Sequence, residues 1–246
     1  MKYLCDPHIL PTNTCPSDLS ELSSVSEALS QFATEIQLDI ADGAFAPVTS
    51  WPYRHPQWSE LEALTGGRGL PHADRIFYEA HLMVQEPLDI GMLLARAGVK
   101  RIIPHAEAIV SDPEAHTFFT QWREAGAHEV GLALLIDTPL EAIDAFIDEC
   151  DVVQIMSIAH IGAQGQPFDD RALSRVEEFH ARYPDKMVSV DGGITEANVD
   201  ALVRAGANRL CVGSAISKAT DPAAAFARIH ARAMLGCTPQ EALLSI

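Results

Sequence analysis

The sequence predicts an α/β protein, a single (β/α)8 barrel of the TIM type, and three observations carry that prediction. Short β-branched or apolar runs alternate with segments of helical periodicity, the pattern of a parallel sheet with crossover helices. Eight such runs fit into 246 residues, and ~250 residues is the usual length for eight strand-helix units closed into a ring. A short Ala-Gly step recurs at Ala97-Gly98-Val99, Ala125-Gly126-Ala127 and Ala205-Gly206-Ala207, each time closing a helix and preceding a strand, and the first two glycines lie 28 residues apart. That spacing is the length of one unit.

The expected strands, in order, are Tyr3–Pro7, Glu35–Asp39, Arg75–Met83, Arg101–His105, Val130–Ile136, Asp151–Ser157, Met187–Asp191 and Arg209–Gly213. Between them the helices carry their own punctuation. Ile90, Leu93, Leu94 and Ala97 share one face, and Gly98 stands where a left-handed C-cap is expected. Thr138, Pro139 and Glu141 read as N-cap, first helical residue and capping-box partner of a helix running to Ile147. Asp112-Pro113 and Asp221-Pro222 repeat the cap-then-proline logic. The stretch Gly43–Gly69 differs in texture, with Trp51, Pro52, Tyr53, Pro56 and Trp58 in a strand-to-helix loop; a loop packed on its own aromatics is expected, with a lid or a subunit contact as alternatives. Residues 238–246 read as a short extra helix. Nothing marks a linker, so residues 1–246 are expected to form one domain.

Composition limits the partners. Seventeen Lys and Arg against 34 Asp and Glu give a formal charge of −17, which repels nucleic acid and anionic membrane surfaces. The longest apolar runs fall far short of the ~20 residues needed to cross a bilayer, and Met1–Leu10 has no signal-peptide core. Cys5, Cys15, Cys150, Cys211 and Cys237 are scattered without a CxxC, which favours reduced thiols and a cytoplasmic location. A small anionic ligand is still admissible, since backbone N–H groups bind phosphate locally. A homo-oligomer is expected.

In a barrel of this kind the chemistry sits at the C-terminal ends of the strands, so polar residues ending a strand are the candidates. That filter returns His8; Gln37, Asp39 and Asp42; His81; His105; Ser157 and His160; and Asp191. Asp39 and Asp191 end strands two and seven, three apart in a ring of eight, and so face each other across the mouth. Two carboxylates on opposite sides of a small substrate suit removal of a proton from carbon on one face and its return on the other. A carbon acid beside a carbonyl is too weak for a bare carboxylate, so the developing enediolate needs a metal or strong donors. His81, Asp39 and Asp191, with His8 or Gln37 beside them, are the candidate ligands. Glycine-rich segments follow strands six to eight: Gly162 to Gln166, Gly192-Gly193, and Gly213-Ser214. Two adjacent glycine loops after strands seven and eight are the usual phosphate site of such barrels. Of the four lysines, Lys100 and Lys186 precede strands four and seven, at the wrong end, so a Schiff-base aldolase is not expected.

The segments Leu38-Asp39-Ile40-Ala41-Asp42-Gly43, Glu79-Ala80-His81-Leu82-Met83-Val84, Met156-Ser157 through Gly165-Gln166-Pro167-Phe168, Val190-Asp191-Gly192-Gly193-Ile194 and Val212-Gly213-Ser214-Ala215-Ile216 together resemble the ribulose-phosphate 3-epimerases. The resemblance implies a ribulose-phosphate-binding barrel that inverts C3 of a ketose phosphate through an enediolate, with ribulose 5-phosphate and xylulose 5-phosphate as first substrates. It implies Asp39 and Asp191 as the acid/base pair around a divalent metal (zinc, iron or manganese) with His81 as ligand. Met83 and Met156 would line the enediolate pocket, with His8 and His105 as further substrate-binding residues. Gly165, Gln166, Gly192, Gly193, Gly213 and Ser214 would bind phosphate, through main-chain N–H groups and without a suitably placed lysine or arginine.

This chain also departs from that pattern. Gln37 stands where the family has a histidine ligand, Ala41 replaces a methionine between the two aspartates, and Val48 replaces an asparagine. If Pro7-His8-Ile9-Leu10 aligns with the family's Pro-Ser-Ile-Leu, His8 replaces a substrate-binding serine and becomes a substitute ligand. Asp-x-Lys-x-x-Asp, expected at strand two of the decarboxylase and hexulose-phosphate synthase branch, is absent, with Ala41 at the lysine position. The alternatives are a hexulose-phosphate 3-epimerase of the allulose 6-phosphate type, or a sugar-phosphate-binding protein of the same fold without activity.

Overall fold

Strands β1 (His8–Asn13), β2 (Glu35–Ala41), β3 (Phe77–Met83), β4 (Arg101–Pro104), β5 (Glu129–Leu134), β6 (Val152–Met156), β7 (Met187–Asp191) and β8 (Arg209–Val212) pair in chain order, and β8 returns to β1 to close a parallel barrel. The computed structural model describes residues 5–55, 58–109 and 112–237. Around the sheet lie α1 (Leu19–Leu29), α2 (Ser59–Thr65), α3 (Pro87–Arg96), α4 (Asp112–Ala125), α5 (Arg171–Arg182), α6 (Val199–Ala205), α7 (Ser214–Ser217) and α8 (Pro222–Met234). Gly98, Gly126 and Gly206 end α3, α4 and α6 with φ of 105°, 122° and 115°, a left-handed turn that glycine makes without steric cost. Asp221 caps α8 through a 3.0 Å bond from the Ala224 N–H.

Side-chain alternation along each strand sorts the residues into two sets. The outward set, such as Ile36, Leu38 and Ile40 on β2, joins the main core between sheet and helices. The inward set of β2 is Glu35, Gln37, Asp39 and Ala41, and the register pairs Gln37 with Glu79 and Asp39 with His81. Elsewhere in the interior, Ile103, Ala133 and Val152 form a small separate cluster. At the mouth, Ala41, Met83 and Met156 pack with Ala46, Ile158 and Ile161.

The floor is ionic. Arg101 is buried, with Nη1 2.7 Å from Glu79 Oε2 and Nε 2.6 Å from Glu129 Oε2. His8 Nδ1 lies 2.8 Å from Glu35 Oε1. Burial works against ionisation of Glu35, but His8 and Arg101 outweigh it and hold the carboxyl down at about 2. Such charges are tolerated inside a protein only because each is paired.

Four expectations are corrected here. The first strand is His8–Asn13, not Tyr3–Pro7: Pro11 has no N–H to donate and makes the run look interrupted, yet the pairs from His8↔Arg209 to Pro11↔Val212 accommodate it. His8 therefore begins β1, at the floor, and is removed from the mouth. The helix expected from Thr138 to Ile147 shrinks to a 3-10 turn over Leu140–Ile143, because the Thr138 hydroxyl bonds Glu107 and the Glu141 carboxylate bonds Arg182 instead of closing a capping box. Cys5 and Cys237 form a disulfide, leaving Cys15, Cys150 and Cys211 free, so the thiols are not all reduced as their scatter suggested. The expected helix at 238–246 lies outside the described residues, as do Pro56 and Gln57. The rest of the Gly43–Gly69 stretch packs on itself and contains α2: Trp51 is buried with its Nε1 3.1 Å from Glu60 Oε2, and the rings of Tyr53 and Trp58 meet edge-on at 5.4 Å. Among the described residues no helix is long and apolar enough to cross a membrane.

Candidate active site

At the C-terminal ends of the strands, an open cavity is lined by Asp39, His81 and Asp191, by Met83 and Met156, and by Gly165, Gln166, Gly192, Gly193, Gly213 and Ser214. Each of these is also a candidate by its position at or just after a strand end. The three ionisable groups meet because β2, β3 and β7 end at the same height. His81 Nδ1 lies 3.1 Å from Asp39 Oδ1 and 3.4 Å from Asp191 Oδ2, and one ligand atom from each residue falls within 4.8 Å of the others.

Two buried carboxylates this close repel unless a positive charge lies between them. Burial, and then the charge of Asp39, push Asp191 up to about 7. Burial by itself would lower the His81 imidazole, but the hydrogen bond and charge of Asp39, with Asp191 adding to them, raise it. The cluster thus holds a proton that it would release to a cation. A donor set of two carboxylates and one imidazole fits a divalent ion.

Gln37 is placed one layer below Asp191 and turned differently from the ligand expected. Its Nε2 donates to Asp191 Oδ2 at 3.2 Å, and its Oε1 accepts from the Thr12 hydroxyl at 3.3 Å. It orients a carboxylate in place of offering a lone pair. Gln154 Nε2 approaches the same oxygen at 3.4 Å and the Met156 sulfur at 3.7 Å.

Five other candidates do not line the cavity. His8, at the floor beside Glu35, lies neither on the cavity wall nor in the Asp39–His81–Asp191 cluster. Thr12, which follows Pro11 and pairs with Gln37, lines the cavity instead; the Pro-Ser step of the family pattern is met by Pro11-Thr12, further along the chain than Pro7-His8. His105 is fully buried and does not line the cavity; burial pushes it down to about 4. Asp42 is a turn former, accepting from the N–H groups of Ala44, Phe45 and Gln85. Ser157 donates to the carbonyls of Asp191 and Gly192, and His160 is exposed.

The glycine loops differ in their tolerance. At Gly193 (φ 65°) a Cβ would sit 2.8 Å from the Phe168 backbone, so any side chain displaces the loop. At Gly213 it would meet only the Gln164 amide, at 3.2 Å. Of the three loops, only Gly213-Ser214 opens straight into a helix, the four-residue α7; α5 and α6 start several residues beyond theirs. Sequence reasoning missed two neighbours of this end. Gln164 donates to the Thr14 hydroxyl at 2.7 Å and accepts from Ser217 at 2.8 Å, clasping three loops together. Lys218 Nζ lies 3.5 Å from where a Gly165 Cβ would be, so a cation does stand beside the glycine loops. Both residues sit in the loops after β6 and β8, where no periodicity points to them.

Comparisons with known proteins agree with this arrangement. The profile described as "Ribulose-phosphate 3 epimerase family" matches residues 9–217. The chain is 36% identical over 149 residues to the ribulose-phosphate 3-epimerase of Schizosaccharomyces pombe, across 61% of this chain and 63% of that one, and so spans less than two thirds of that relative. It is 30% identical over 201 residues to the ribulose-phosphate 3-epimerase of Bacillus subtilis, across 79% of this chain and 85% of that one. The crystal structure of 3-hexulose-6-phosphate synthase from Salmonella typhimurium superposes with a TM-score of 0.64 over 93% of this chain and 99% of that one, at 13% identity, a likeness of fold. With its closed barrel, its paired aspartates and a profile match over most of its length, the chain belongs to the ribulose-phosphate 3-epimerase family.

Proposed function

We infer that this protein interconverts C3 epimers of a ketose phosphate, with ribulose 5-phosphate and xylulose 5-phosphate as the first pair, and that Asp39 and Asp191 carry the proton. The observation behind the reading is that two carboxylates from opposed strands converge on His81 at one end of a cavity whose other end is glycine loops. One carboxylate takes the C3 proton from one face, charge moves onto the C2 oxygen as the enediolate, and the other carboxylate returns a proton to the opposite face. Both residues serve in each role, since the reverse reaction runs the same path backwards. A divalent cation held by Asp39, His81 and Asp191 supplies the positive charge that such an enediolate requires. Met83, Met156, Ile158 and Ile161 wall the reacting carbon with apolar surface, which strengthens every charge interaction inside.

Phosphate binding falls to the loops bearing Gly165, Gln166, Gly192, Gly193, Gly213 and Ser214, with Lys218 beside them. Gly213→Val fills this end against a flexible side chain and is expected to weaken inorganic phosphate and ketose phosphate alike by roughly tenfold or more, a loss of ~1.4 kcal/mol. Lys218 is exposed, so Lys218→Ala should weaken both only ~2–5-fold. Equal affinity of the free ketose and its phosphate ester would show that these glycines are turn formers only.

The deciding experiment is proton–deuterium exchange at C3 of five- and six-carbon ketose phosphates in deuterated water, followed by NMR. Exchange with epimerisation of the five-carbon ester is expected. Binding of the ester without exchange would reduce the protein to a sugar-phosphate binder.

A further inference from the structure

Behind His81 stands a second imidazole that the chemistry above does not use. His105, at the end of β4, has its Nε2 2.9 Å from Nε2 of His81 and its Nδ1 3.3 Å from Oε2 of Glu107. Two ring nitrogens at that separation share one proton, one donating and the other accepting. If His81 donates, the neutral His105 carries its own proton on Nδ1 and gives it to the Glu107 carboxylate. If His105 donates instead, its bare Nδ1 faces that carboxylate and two acceptors oppose each other. Only the first arrangement satisfies both nitrogens of His105 and Glu107, and in the metal-free chain it is completed by a second proton on Nδ1 of His81, 3.1 Å from Asp39 Oδ1.

Glu107 is held so as to make this choice. Its Oε1 accepts from the Leu135 N–H at 2.9 Å and from the Thr138 hydroxyl, which turns Oε2 toward His105. The same Thr138 bond is the one that costs the chain its helix after β5. The ring of Phe45 packs on His105 with centroids 4.7 Å apart, closing the other side.

We propose that Glu107 and His105 act as positioning residues that keep a proton on Nε2 of His81, so that Nδ1, where Asp39 and Asp191 converge, is the nitrogen that gives up its proton and offers its lone pair to a cation. The proposal rests on the reading of that cluster as a cation site. It extends the site to the ends of β4 and β5, through groups that touch neither substrate nor reacting carbon. Partners of this kind behind a metal-bound imidazole typically contribute ~10–100-fold in affinity.

Glu107→Gln tests it with little change of shape. Because Leu135 and Thr138 both donate to Oε1, the glutamine oxygen belongs there and its NH2 group faces His105. His105 must then accept on Nδ1 and carry its proton on Nε2, donating to His81, whose one proton is then on Nδ1. Long-range 1H–15N NMR of the metal-free full chain reads both rings. The parent should show the proton on Nδ1 of His105 and on Nε2 of His81, and Glu107→Gln should show it on Nε2 of His105. Calorimetric titration with Zn2+ and with Mn2+ should then give ~10–100-fold weaker binding in Glu107→Gln, with inorganic phosphate binding unchanged. Asp39→Asn separates a lost ligand from a lost tautomer, for it should weaken the ions while leaving His105 protonated on Nδ1. The proposal is overturned if His105 of the parent carries its proton on Nε2, or if Glu107→Gln takes both ions with parental affinity. A parent that binds neither ion refutes the cation reading, and the NMR of the parent then decides the tautomer by itself, as it does if Glu107→Gln does not fold.

Discussion

Asp39→Asn and Asp191→Asn are each expected to lower the rate of C3 epimerisation by ~10²-fold or more while inorganic phosphate still binds. The amide keeps the shape of the carboxylate and its place beside Gln37 or His81, but it neither accepts a proton from carbon nor returns one. The two variants have a second, opposite signature. Each removes one member of a like-charged buried pair, so neither metal-free variant should melt below the parent. Steady-state assays together with thermal melts separate the effects: a large drop in melting temperature would reassign the pair to structure, and near-parental turnover in either variant would rule out the two-carboxylate reaction.

Cation binding should depend steeply on pH. The raised value of Asp191, about 7, means that the metal-free fold keeps this proton through the mildly acidic range. A cation needs both carboxylates and Nδ1 of His81 bare. The sign follows: apparent affinity is lost as pH falls below about 7, by about tenfold per unit, and levels off above it. His81, raised by its contact with Asp39, acts in the same direction. Titrations with Mn2+ in buffers of different ionisation enthalpy should show about one or more protons released per ion at about pH 6. An affinity that stays flat from about pH 5.5 to about 8 would mean that the cluster is not the binding site. His81→Ala should abolish the binding, and His8→Ala, at the floor, should leave it intact.

The core of the site was legible because barrel geometry converts sequence position into height. Asp39, His81 and Asp191 end strands whose apolar runs are plain, so their convergence follows from the fold. The glycine loops and the two methionines follow in the same way. His8 was misplaced because one proline hid the true first strand, and every residue of a misassigned strand moves to the wrong height. The site's inner support was harder to see. Glu107 and His105 are two residues apart, but their reach to His81 depends on how β3 and β4 are staggered. The Cys5–Cys237 bond joins residues 232 apart, a distance at which no spacing rule predicts pairing. The lost helix after β5 shows a cap signal defeated by a tertiary contact: its threonine donates to Glu107 and does not accept from the backbone N–H groups it was expected to cap.

The ionic floor has a consequence for traffic. With Arg101 locked among Glu79, Glu129 and Glu35, the barrel is a well with one rim and not a pipe. Substrate, water and exchanging hydrogen would all share that rim, where Gln164 ties the loops after β1, β6 and β8 together. A sugar phosphate seated there is its own stopper. Under the proposed reaction the two aspartates would then have only the hydrogens they held when the substrate arrived, and each inversion at C3 would be written with a hydrogen drawn from solvent before entry.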